Sequence, residues 1–442
     1  MPAEFTQTLT VSPATALQGV VRVPGDKSIS HRYAIFAALA DGVSRLSHYA
    51  PGQDCQSTLH CLEQLGVVVS RHEARDRSTG APIPTVQIVG RGLGALQAPT
   101  AALNCGNSGS TLRMLAGVLA AHPFTSVLTG DSSLLRRPMM RIATPLSQMG
   151  ARIDAVDGRA PLTIRGGTLH AIRYHTPTPS AQVKTAVLLA GLHTAGETVV
   201  EEDVLTRDHT ERGLRAFGAK VDVETDGTTV HLSGPQRLTG GQVMVPGDVS
   251  SAAFWACAAA ALPDSFIELP DVGLNPSRTA IFDVLRRMGA DVDMLPDDAH
   301  AHEPIGRVRV RHGVQRPLVL SPDAVPGLID ELPVLAALAT HGGDLRVTGA
   351  GELRAKESDR ITALVNGLRA MGADADELPD GFHVRGARKL LGGEVDACDD
   401  HRLAMAFAVA ALGASDATTI HGADAVNVSY PGFFDVLSAL AR

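Results

Sequence analysis

The sequence is poor in aromatic side chains: only 4% of its 442 residues are Phe, Trp or Tyr, and there is a single Trp. Hydrophobic residues nevertheless make up 44% of the chain, so a large core can form. That core must be built mainly from Ala, Val and Leu, which favours closely packed helices. The length predicts two or three domains.

Three further features are absent, and each excludes a class of protein. No apolar run approaches about eighteen residues, so we expect no membrane span. The net charge is −8, which argues against a general binder of nucleic acids or anionic membranes, because both favour a basic excess. The first ten residues have neither a basic start nor an apolar core, so we expect no signal peptide.

Known metal, redox and nucleotide motifs are also missing. The cysteines contain no C-x-x-C pair, and an odd, scattered set is not typical of a disulfide framework, so a reducing cytoplasm is the simplest interpretation. His209 and His401 have no partner at ligand spacing, which gives no reason to expect a metal site. Neither G-x-x-x-x-G-K-[ST] nor a strand followed by G-x-G-x-x-G occurs, so ATP or NAD use is unsupported. The five cysteines are Cys55, Cys61, Cys105, Cys257 and Cys398.

The chain does contain an internal repeat, which is visible where a helical pattern ends in Gly and a strand pattern follows. Gly directly after a helix is the usual C-terminal cap. Five such phrases recur at steps of 84, 68, 71 and 83 residues, and a sixth helical pattern closes the chain. The five phrases begin at Leu65, Met149, Phe217, Met288 and Met371.

Each of these helices is preceded by a helix of another kind, with a polar first turn and an Ala-rich, apolar remainder. Helices that are apolar on all faces are buried. Short strand patterns, such as residues 20–23 and 85–89, lie between the helices. The sequence therefore predicts six units of about 70–80 residues, three before Val245 and three after it. The second set of helices is predicted to begin at Ser28, Asn107, Ser180, Ser250, Asp330 and Asp400.

The phrase Val-Pro-Gly-Asp occurs twice, at residues 23–26 and 245–248, and it precedes a buried helix each time. Only the first copy continues into Lys27, Ser28 and Arg32. The second continues into Ser250 and Ser251, which we interpret as a plain helix cap. If the helix N-termini of related units point the same way, they form an anion-binding surface.

Cationic side chains stand near several of these helix starts, and Arg suits bidentate contacts with carboxylate or phosphate. Their number predicts a substrate with several anionic groups. Each motif alone is explained equally well by a cap or an exposed ion pair. A functional role is favoured over a purely structural one, because different residue types occupy equivalent places in the repeated units, whereas a structural cap would be expected to recur. The cations are Lys27, Arg32, Arg113, Arg136, Arg137, Arg207, Arg212, Lys356, Arg360 and Arg402.

Seven motifs, in order along nearly the whole chain, resemble those of the EPSP synthase (3-phosphoshikimate 1-carboxyvinyltransferase) family of enolpyruvyl transferases. They are PGDKSISHR, LNCGNSGSTLR, GDSSLLRRPM, SAQVKTAVLLAG, TRDHTE, AKESDR and DDHRLAMA. The resemblance implies two inside-out, barrel-like α/β domains, each of three βαβαββ units, joined by a two-stranded hinge. It further implies that residues 1–22 and 246–442 form one domain and residues 23–245 the other, with the active site in the interdomain cleft.

The implied reaction transfers the enolpyruvyl group of phosphoenolpyruvate to the 5-hydroxyl of shikimate 3-phosphate and releases phosphate, as a step of aromatic amino acid biosynthesis. The resemblance implies no metal and no organic cofactor. It also implies a cytoplasmic monomer whose partners are these two small molecules. The reaction needs a base for the hydroxyl, an acid for the methylene carbon of phosphoenolpyruvate, and cations around two anions.

The resemblance implies a role for each matching residue. Asp330 would be the base, Glu357 the proton-transfer acid, and Lys27 would lie between the substrates. The residues implied to bind shikimate 3-phosphate are Lys27, Ser28, Arg32, Ser180, Ala181, Gln182, Thr206, Arg207, Asp330 and Lys356. Those implied to bind phosphoenolpyruvate are Lys27, Asn107, Gly109, Arg137, Gln182, Arg360 and Arg402.

The chain departs from the family pattern at three places. Val428 stands where some members have a phosphate-binding Lys, and Glu352 stands where an Asn binds shikimate 3-phosphate. Ala181 replaces a second Ser and leaves only a backbone donor. Because Gly109 has no side chain to crowd the site, we expect sensitivity to glyphosate, a mimic of phosphoenolpyruvate in this family.

Two alternatives remain at this point. The sister family of UDP-N-acetylglucosamine enolpyruvyl transferases shares the implied fold, but it has Lys-Asn where this chain has Lys27-Ser28, and a Cys in the loop that here reads GDSSLLRRP. A non-catalytic anion-binding scaffold is the other alternative. The presence of both Asp330 and Glu357 argues against the scaffold, because a binding protein needs no paired acid and base.

Overall fold

The computed structural model describes residues 5–75, 82–297 and 302–442. This part of the chain forms two compact units. The central unit is Gly25–Val245, and the N/C unit combines the chain up to Pro24 with Pro246–Arg442. Each unit contains three of the six described sheets.

Twenty-four strands are found in the described residues. They are β1 (Leu9–Val11), β2 (Gln18–Val20), β3 (Ala40–Ser47), β4 (Val68–Arg75), β5 (Pro82–Arg91), β6 (Leu103–Asn104), β7 (Thr125–Thr129), β8 (Arg152–Val156), β9 (Arg159–Arg165), β10 (Arg173–Thr176), β11 (Gly196–Glu202), β12 (Asp222–Val223), β13 (Thr229–Gly234), β14 (Leu238–Thr239), β15 (Gln242–Met244), β16 (Phe266–Gly273), β17 (Asp291–Asp297), β18 (Ile305–Arg311), β19 (Pro317–Leu320), β20 (Asp344–Val347), β21 (Asp374–Leu378), β22 (Gly381–Arg385), β23 (Gly393–Asp396) and β24 (Thr418–His421).

Thirteen α-helices are found in the same residues. They are α1 (Lys27–Leu39), α2 (Gln53–Gln64), α3 (Gly109–Ala120), α4 (Ser132–Arg136), α5 (Met140–Gln148), α6 (Ala181–Gly191), α7 (His209–Ala216), α8 (Val249–Ala261), α9 (Ala280–Arg287), α10 (Leu332–Ala339), α11 (Arg360–Ala370), α12 (His401–Ala411) and α13 (Phe433–Leu440). Short 3₁₀ helices cover Pro322–Ala324, Gly351–Ala355 and Ala423–Val428.

The sheets share one topology, which confirms the sixfold repeat. In four of them, with the strands of each sheet counted along the chain, the first strand pairs in parallel with the second strand. The fourth strand lies between the second and the third. These sheets have the orders β6-β7-β9-β8, β10-β11-β13-β12, β19-β20-β22-β21 and β2-β16-β18-β17. Three sheets take strands from distant sequence: β2 pairs with β16, β14 and β15 pair with β3, and β1 pairs with β24.

The core helices α1, α3, α6, α8, α10 and α12 lie inside their units, and the sheets cover them. All thirteen residues of α8 are buried, as expected for a helix that is apolar on every face. Strands such as β9 alternate buried and exposed residues, so one sheet face meets the helices. This arrangement of helices inside and sheets outside confirms the predicted fold class.

Small residues let the core helices approach backbone to backbone. A Cβ atom on Gly117 of α3 would lie 2.2 Å from the carbonyl oxygen of Ala186 on α6. The outer helices instead end at glycines with positive φ, as at Gly66 (85°) and Gly289 (109°), which confirms the predicted C-terminal caps. Among the described helices, none is long and apolar enough to cross a membrane.

Four local predictions are wrong. The strand predicted at residues 20–23 is β2, Gln18–Val20. The helices expected at Asn107 and Asp330 begin two residues later, because Ser108 and Glu331 occupy the N-cap positions. Ser250 is not a cap: the Asp248 carboxylate accepts hydrogen bonds from the amides of Ser250 and Ser251, at 2.7 and 3.1 Å.

Candidate functional site

The first Val-Pro-Gly-Asp phrase places Lys27 at the start of α1. Asp26 is the N-cap, and its carboxylate accepts from the Ile29 amide at 2.8 Å. The Lys27 ammonium lies 3.0 Å from Asp54, and both side chains are mostly buried, with 17% and 8% exposed. The Arg207 guanidinium donates to the Ser28 hydroxyl at 3.2 Å. The Lys27 side chain is therefore oriented by Asp54 at a helix N-terminus, where an anion is favoured.

Arg32 is buried one turn further along α1. Its guanidinium donates to the carbonyls of Ser28 (2.9 Å) and Ala181 (3.3 Å). It also donates to the hydroxyls of Thr185 (2.8 Å) and Thr210 (2.9 Å). These contacts join the start of α1 to the start of α6, so Arg32 fixes the spacing of two helix N-termini. A direct contact between Arg32 and a substrate stays a prediction.

The start of α3 carries the residues expected to meet phosphoenolpyruvate. The Arg137 guanidinium donates to the side-chain oxygen of Asn107 at 2.8 Å, and the Asn107 amide donates to Asp131 at 2.8 Å. A Cβ atom on Gly109 would lie 2.8 Å from Nη1 of Arg113 and 3.3 Å from Nη1 of Arg137. Two guanidinium groups therefore converge on the one residue of this turn that lacks a side chain.

The start of α6 is linked to α3 through Gln182. Its amide donates to the Ser110 hydroxyl at 2.8 Å, and its oxygen accepts from Arg113 at 2.7 Å. Ser180 is the N-cap of α6. These bonds, together with those of Arg32 and Arg207, bring the starts of α1, α3 and α6 together in the central unit.

Thr206 is positioned from behind by a buried charge cluster. Its hydroxyl donates to Glu202 at 2.6 Å, and the Lys184 ammonium contacts Glu202 and Glu211 at 2.7 and 2.8 Å. Burial alone would lower the pKa of Lys184, but attraction to Glu211 and Glu202 raises it above the ordinary value. Lys184 therefore remains charged inside the unit and anchors the strand end that precedes Thr206.

The N/C unit contains a second group, built around Arg360 at the start of α11. Nε of Arg360 donates to Asp400 at 2.7 Å, and Nη2 donates to Glu357 at 2.5 Å. Nη1 lies 3.8 Å from the Asp330 carboxylate. Burial would lower the pKa of Arg360, but Asp400 and Glu357 raise it, so the guanidinium stays cationic. The predicted acid and base thus share one buried cation.

Arg402 contacts Asp330 at two places. Nη1 donates to the Asp330 backbone carbonyl at 2.9 Å, and Nη2 lies 3.8 Å from its carboxylate. Lys356 keeps 24% of its side chain exposed and lies 3.8 Å from Glu352. Removal from water lowers the pKa of Lys356 more than attraction to Asp330 and Glu352 raises it. Val428 is buried, and Tyr430 follows it in the core.

We call the first set the cationic group and the second the acid–base group. Each sequence-predicted site residue falls in one of them. The cationic group comprises Lys27, Ser28, Arg32, Asn107, Gly109, Arg137, Ser180, Ala181, Gln182, Thr206 and Arg207, all in the central unit. The acid–base group comprises Asp330, Lys356, Glu357, Arg360 and Arg402, all in the N/C unit.

Three residues that contact members of these groups are absent from the predicted catalytic and binding residues, although Arg113 is among the cations noted near helix starts. Asp54 holds Lys27, Arg113 holds Gln182, and Asp400 holds Arg360. Asp400 could be seen only as a helix cap, and Asp54 only as an acid near the start of a helix. Their partners lie 27 to 69 residues away along the chain. No local pattern marks such pairs.

Comparison with known proteins agrees with this geometry. The model of the EPSP synthase (3-phosphoshikimate 1-carboxyvinyltransferase) family matches residues 11–437. The chain belongs to this family. A 3-phosphoshikimate 1-carboxyvinyltransferase from Koribacter versatilis is 48% identical over 433 residues, covering 98% of this chain and 99% of the relative. One from Pelotomaculum thermopropionicum is 48% identical over 434 residues, covering 97% and 98%.

Solved structures give the same result for the fold. EPSP synthase from Acinetobacter baumannii superposes with a TM-score of 0.84 at 40% identity, covering 99% of this chain and 98% of that one. The enolpyruvyl transferase NikO from Streptomyces tendae has a TM-score of 0.74 at 19% identity, covering 99% and 98%. This second likeness shows the fold alone.

Proposed function

We propose that this chain transfers the enolpyruvyl group of phosphoenolpyruvate to the 5-hydroxyl of shikimate 3-phosphate and releases phosphate. The observation that carries the proposal is the match to the EPSP synthase family over residues 11–437, with both groups of candidate residues intact. Both substrates are polyanions, which suits the convergence of Lys27, Arg113 and Arg137 near the starts of buried helices.

In the proposed mechanism Asp330 accepts the proton of the 5-hydroxyl as its oxygen attacks C2 of phosphoenolpyruvate. Glu357 delivers a proton to the methylene carbon C3, so the double bond is replaced by a C–O and a C–H bond. Loss of a C3 proton then restores the double bond as the phosphate leaves with its bonding electrons. The guanidinium groups of Arg360 and Arg402, each 3.8 Å from the Asp330 carboxylate, place positive charge beside the proposed base.

The cationic group has the complementary task of binding negative charge. Lys27, Arg137 and Arg207 are each oriented by a protein partner, so little reorganisation is needed when an anion binds. Gln182 and Ser180 supply neutral donors beside them. We assign both groups to one reaction, because the predicted binding residues of each substrate are divided between the two groups.

A phosphate-release assay tests the proposal. The purified chain is supplied with phosphoenolpyruvate and either shikimate 3-phosphate or UDP-N-acetylglucosamine. We expect phosphate only with the first acceptor, and mass spectrometry should find the enolpyruvyl ether of shikimate 3-phosphate. Turnover with UDP-N-acetylglucosamine would instead support the sister activity, and release with neither acceptor would support a non-catalytic scaffold.

The remaining expectations are proposals of the same kind. We propose a cytoplasmic monomer that needs no nucleic acid and is inhibited by glyphosate. The proposed cytoplasmic location is supported by the cysteines, since none of them forms a disulfide among the described residues. The assignment of residues 23–245 to one domain, and of 1–22 with 246–442 to the other, also stays a prediction. Light scattering during gel filtration will measure the mass of the particle.

A further inference from the structure

A buried charged cluster lies in the N/C unit outside the acid–base group. It consists of Ser250, Arg278 and Glu331, and we call it the Arg278 cluster. Nη2 of Arg278 donates to Oε1 of Glu331 at 2.9 Å and to the Ser250 hydroxyl at 2.7 Å. The same hydroxyl lies 2.5 Å from Oε1 of Glu331. The side chains of Arg278 and Glu331 are only 3% and 0% exposed.

Stability alone is a weak explanation for such a cluster. Removing two charges from water is costly, and replacing a buried ion pair by apolar side chains of similar volume is often neutral or stabilising. Removing only one partner is strongly destabilising, because it leaves an uncompensated buried charge. The Arg278–Glu331 pair is therefore expected to have a role that an apolar pair cannot fill.

The position of Glu331 indicates that role, because it directly follows Asp330. Glu331 is the N-cap residue of α10, and its own side chain makes no capping bond. Its amide donates to the Leu328 carbonyl at 2.8 Å, and its carbonyl accepts from the Leu335 amide at 3.1 Å. Oε1 of Glu331 is thus bonded to Arg278 and Ser250, whereas Oε2 is buried with no hydrogen-bond partner among the described residues. The backbone bonds of Glu331 hold the chain directly after Asp330.

Asp330 is consequently held on both sides. Arg402 donates to the Asp330 carbonyl at 2.9 Å, and the Arg278 cluster anchors the next residue. Its carboxylate is 3.8 Å from both Arg360 and Arg402, a distance that permits electrostatic attraction but is too long for hydrogen bonds. The backbone at residue 330 sets where this carboxylate stands relative to the two guanidinium groups.

The cluster is itself rigidly supported. The Arg278 amide donates to the Asn275 carbonyl at 2.8 Å. The Asn275 side chain donates to the buried Glu303 carboxylate at 3.0 Å. Ser250 belongs to the first turn of α8, which Asp248 caps. The second Val-Pro-Gly-Asp phrase is thus followed by Ser250, whose hydroxyl is hydrogen-bonded to Glu331.

We infer that Arg278 and Glu331 are positioning residues, which set the location of the Asp330 carboxylate for proton abstraction. The inference rests on the proposed function, in which Asp330 is the base. Neither residue is expected to touch a substrate. A displaced base affects the chemical step more than substrate binding, so removing the cluster should lower kcat and leave both KM values nearly unchanged.

A double replacement separates positioning from folding. Arg278→Met or Glu331→Met alone should lower the Tm sharply, because each leaves one buried charge without its partner. The double variant Arg278→Met/Glu331→Met should recover most of that loss. Since a misplacement of about 1 Å can cost about 100-fold in rate, we expect its kcat to stay at least about tenfold below the parent's. We also expect both KM values to remain within about threefold of the parent's.

Two controls complete the experiment. Trp255→Phe removes a hydrogen bond to Tyr430 from the core of the same unit and should lower the Tm while keeping kcat. Arg278→Lys retains a cation and should retain more kcat than Arg278→Met. The pH profile of kcat provides another readout: a displaced Asp330 should shift the acid limb in the double variant but not in Trp255→Phe.

Each outcome decides the inference. A double variant with the parent's kcat would show that the cluster is dispensable, and one that does not fold would show that its role is folding; either overturns the proposal. Failure of the proposed function is recognised separately, because the parent chain itself would then not turn over shikimate 3-phosphate and phosphoenolpyruvate.

Discussion

The two compact units repeat one scaffold three times each, but they supply different chemistry. The cationic group of the central unit has eleven of the predicted site residues, and no carboxylate is among them. The acid–base group of the N/C unit has five, and it includes both predicted proton-transfer carboxylates, Asp330 and Glu357. The repeated helix starts supply a common electrostatic background in both units, and in the proposed mechanism only the N/C unit adds proton-transfer carboxylates, which precede the N-caps of α10 and α11.

The two Val-Pro-Gly-Asp phrases show this difference at one equivalent position. In both, the Asp caps the helix that follows: Asp26 caps α1 and Asp248 caps α8. Lys27 directly follows the first cap and meets Asp54, whereas Val249 directly follows the second, and Ser250 after it meets Glu331 and Arg278. The shared Asp cap fixes the start of each helix, and the side chains that follow it make different contacts in the two units.

The largest expected effect is the loss of the base in the acid–base group. Asp330→Asn keeps the size of the side chain but removes the proton acceptor. A general base contributes about 100- to 10,000-fold, so kcat for phosphate release should fall by at least about 100-fold. The Kd for shikimate 3-phosphate, measured by calorimetry, should change little.

The exposed Asp323 offers a matched control for that variant. It lies in the 3₁₀ helix Pro322–Ala324 of the same unit, and Asp323→Asn should leave kcat unchanged. If Asp330→Asn retained a third or more of the parent's kcat, Asp330 would not be the base. The proposal that the N/C unit supplies the general base would then be wrong.

A smaller effect is expected from crowding the cationic group. Gly109→Ala places a methyl group within 2.8 Å of Arg113 and 3.3 Å of Arg137, so at least one guanidinium must move. We expect KM for phosphoenolpyruvate to rise by about tenfold, the cost of about 1.4 kcal/mol of lost anion binding, with kcat nearly constant. Inhibition by glyphosate should weaken as well.

Gly167→Ala is the control for crowding, because nothing lies within 4 Å of a Cβ atom there. It should leave both KM values unchanged. An increase in KM for shikimate 3-phosphate alone in Gly109→Ala would contradict the assignment of this helix start to phosphoenolpyruvate.

Buried histidines allow the pH stability of the two units to be compared. In the central unit, burial followed by the proximity of His122 lowers the pKa of His193 to about 3. In the N/C unit, burial lowers the pKa of His341 to about 4. The pKa of an unfolded His is about 6.5, so the unfolded chain binds the proton before the folded chain does. The free energy of unfolding should therefore fall as the pH drops below this value.

Each such His contributes a slope of up to about 1.4 kcal/mol per pH unit between its unfolded and folded pKa values. His193→Gln should therefore flatten the decline of Tm between pH 6.5 and 4.5, measured by scanning calorimetry. His60→Gln, at an exposed site, should leave the decline unchanged. An equally steep decline in His193→Gln would show that His193 is not responsible for it.

The smallest expected effect concerns Lys356. Attraction to Glu352 raises the pKa of Lys356, although removal from water lowers it by more. Glu352→Gln should therefore lower this pKa further. If the ammonium form is required, activity is lost as pH rises through the pKa, so the alkaline limb of kcat/KM should move to lower pH by less than about one unit.

The control for this shift is Glu394→Gln, which changes an exposed carboxylate of the same unit. Its alkaline limb should stay in place. A shift of the limb to higher pH in Glu352→Gln would contradict the expected sign and would remove Lys356 from the groups that limit activity.

The amino-acid sequence by itself determined the number of repeats, the burial of the six core helices and the family. These features depend on local order: an Ala-rich apolar helix must be buried, and a Gly after an outer helix permits positive φ. The same local reasoning misplaced the strand at residues 20–23. It also treated Ser250 as a cap, because the start of α8 offers several polar candidates. Only the backbone geometry shows that Asp248 makes those bonds.

Tertiary structure alone decided which charges meet. Asp54 with Lys27, Asp400 with Arg360, and Glu331 with Arg278 join residues that are distant along the chain. Strands β1 and β14 likewise pair far from their neighbours in sequence. A buried charge needs a partner within a few ångströms, but that partner can come from any segment that the fold brings near. Local pattern therefore predicts the helix starts, and only the fold determines which side chains face each other across them.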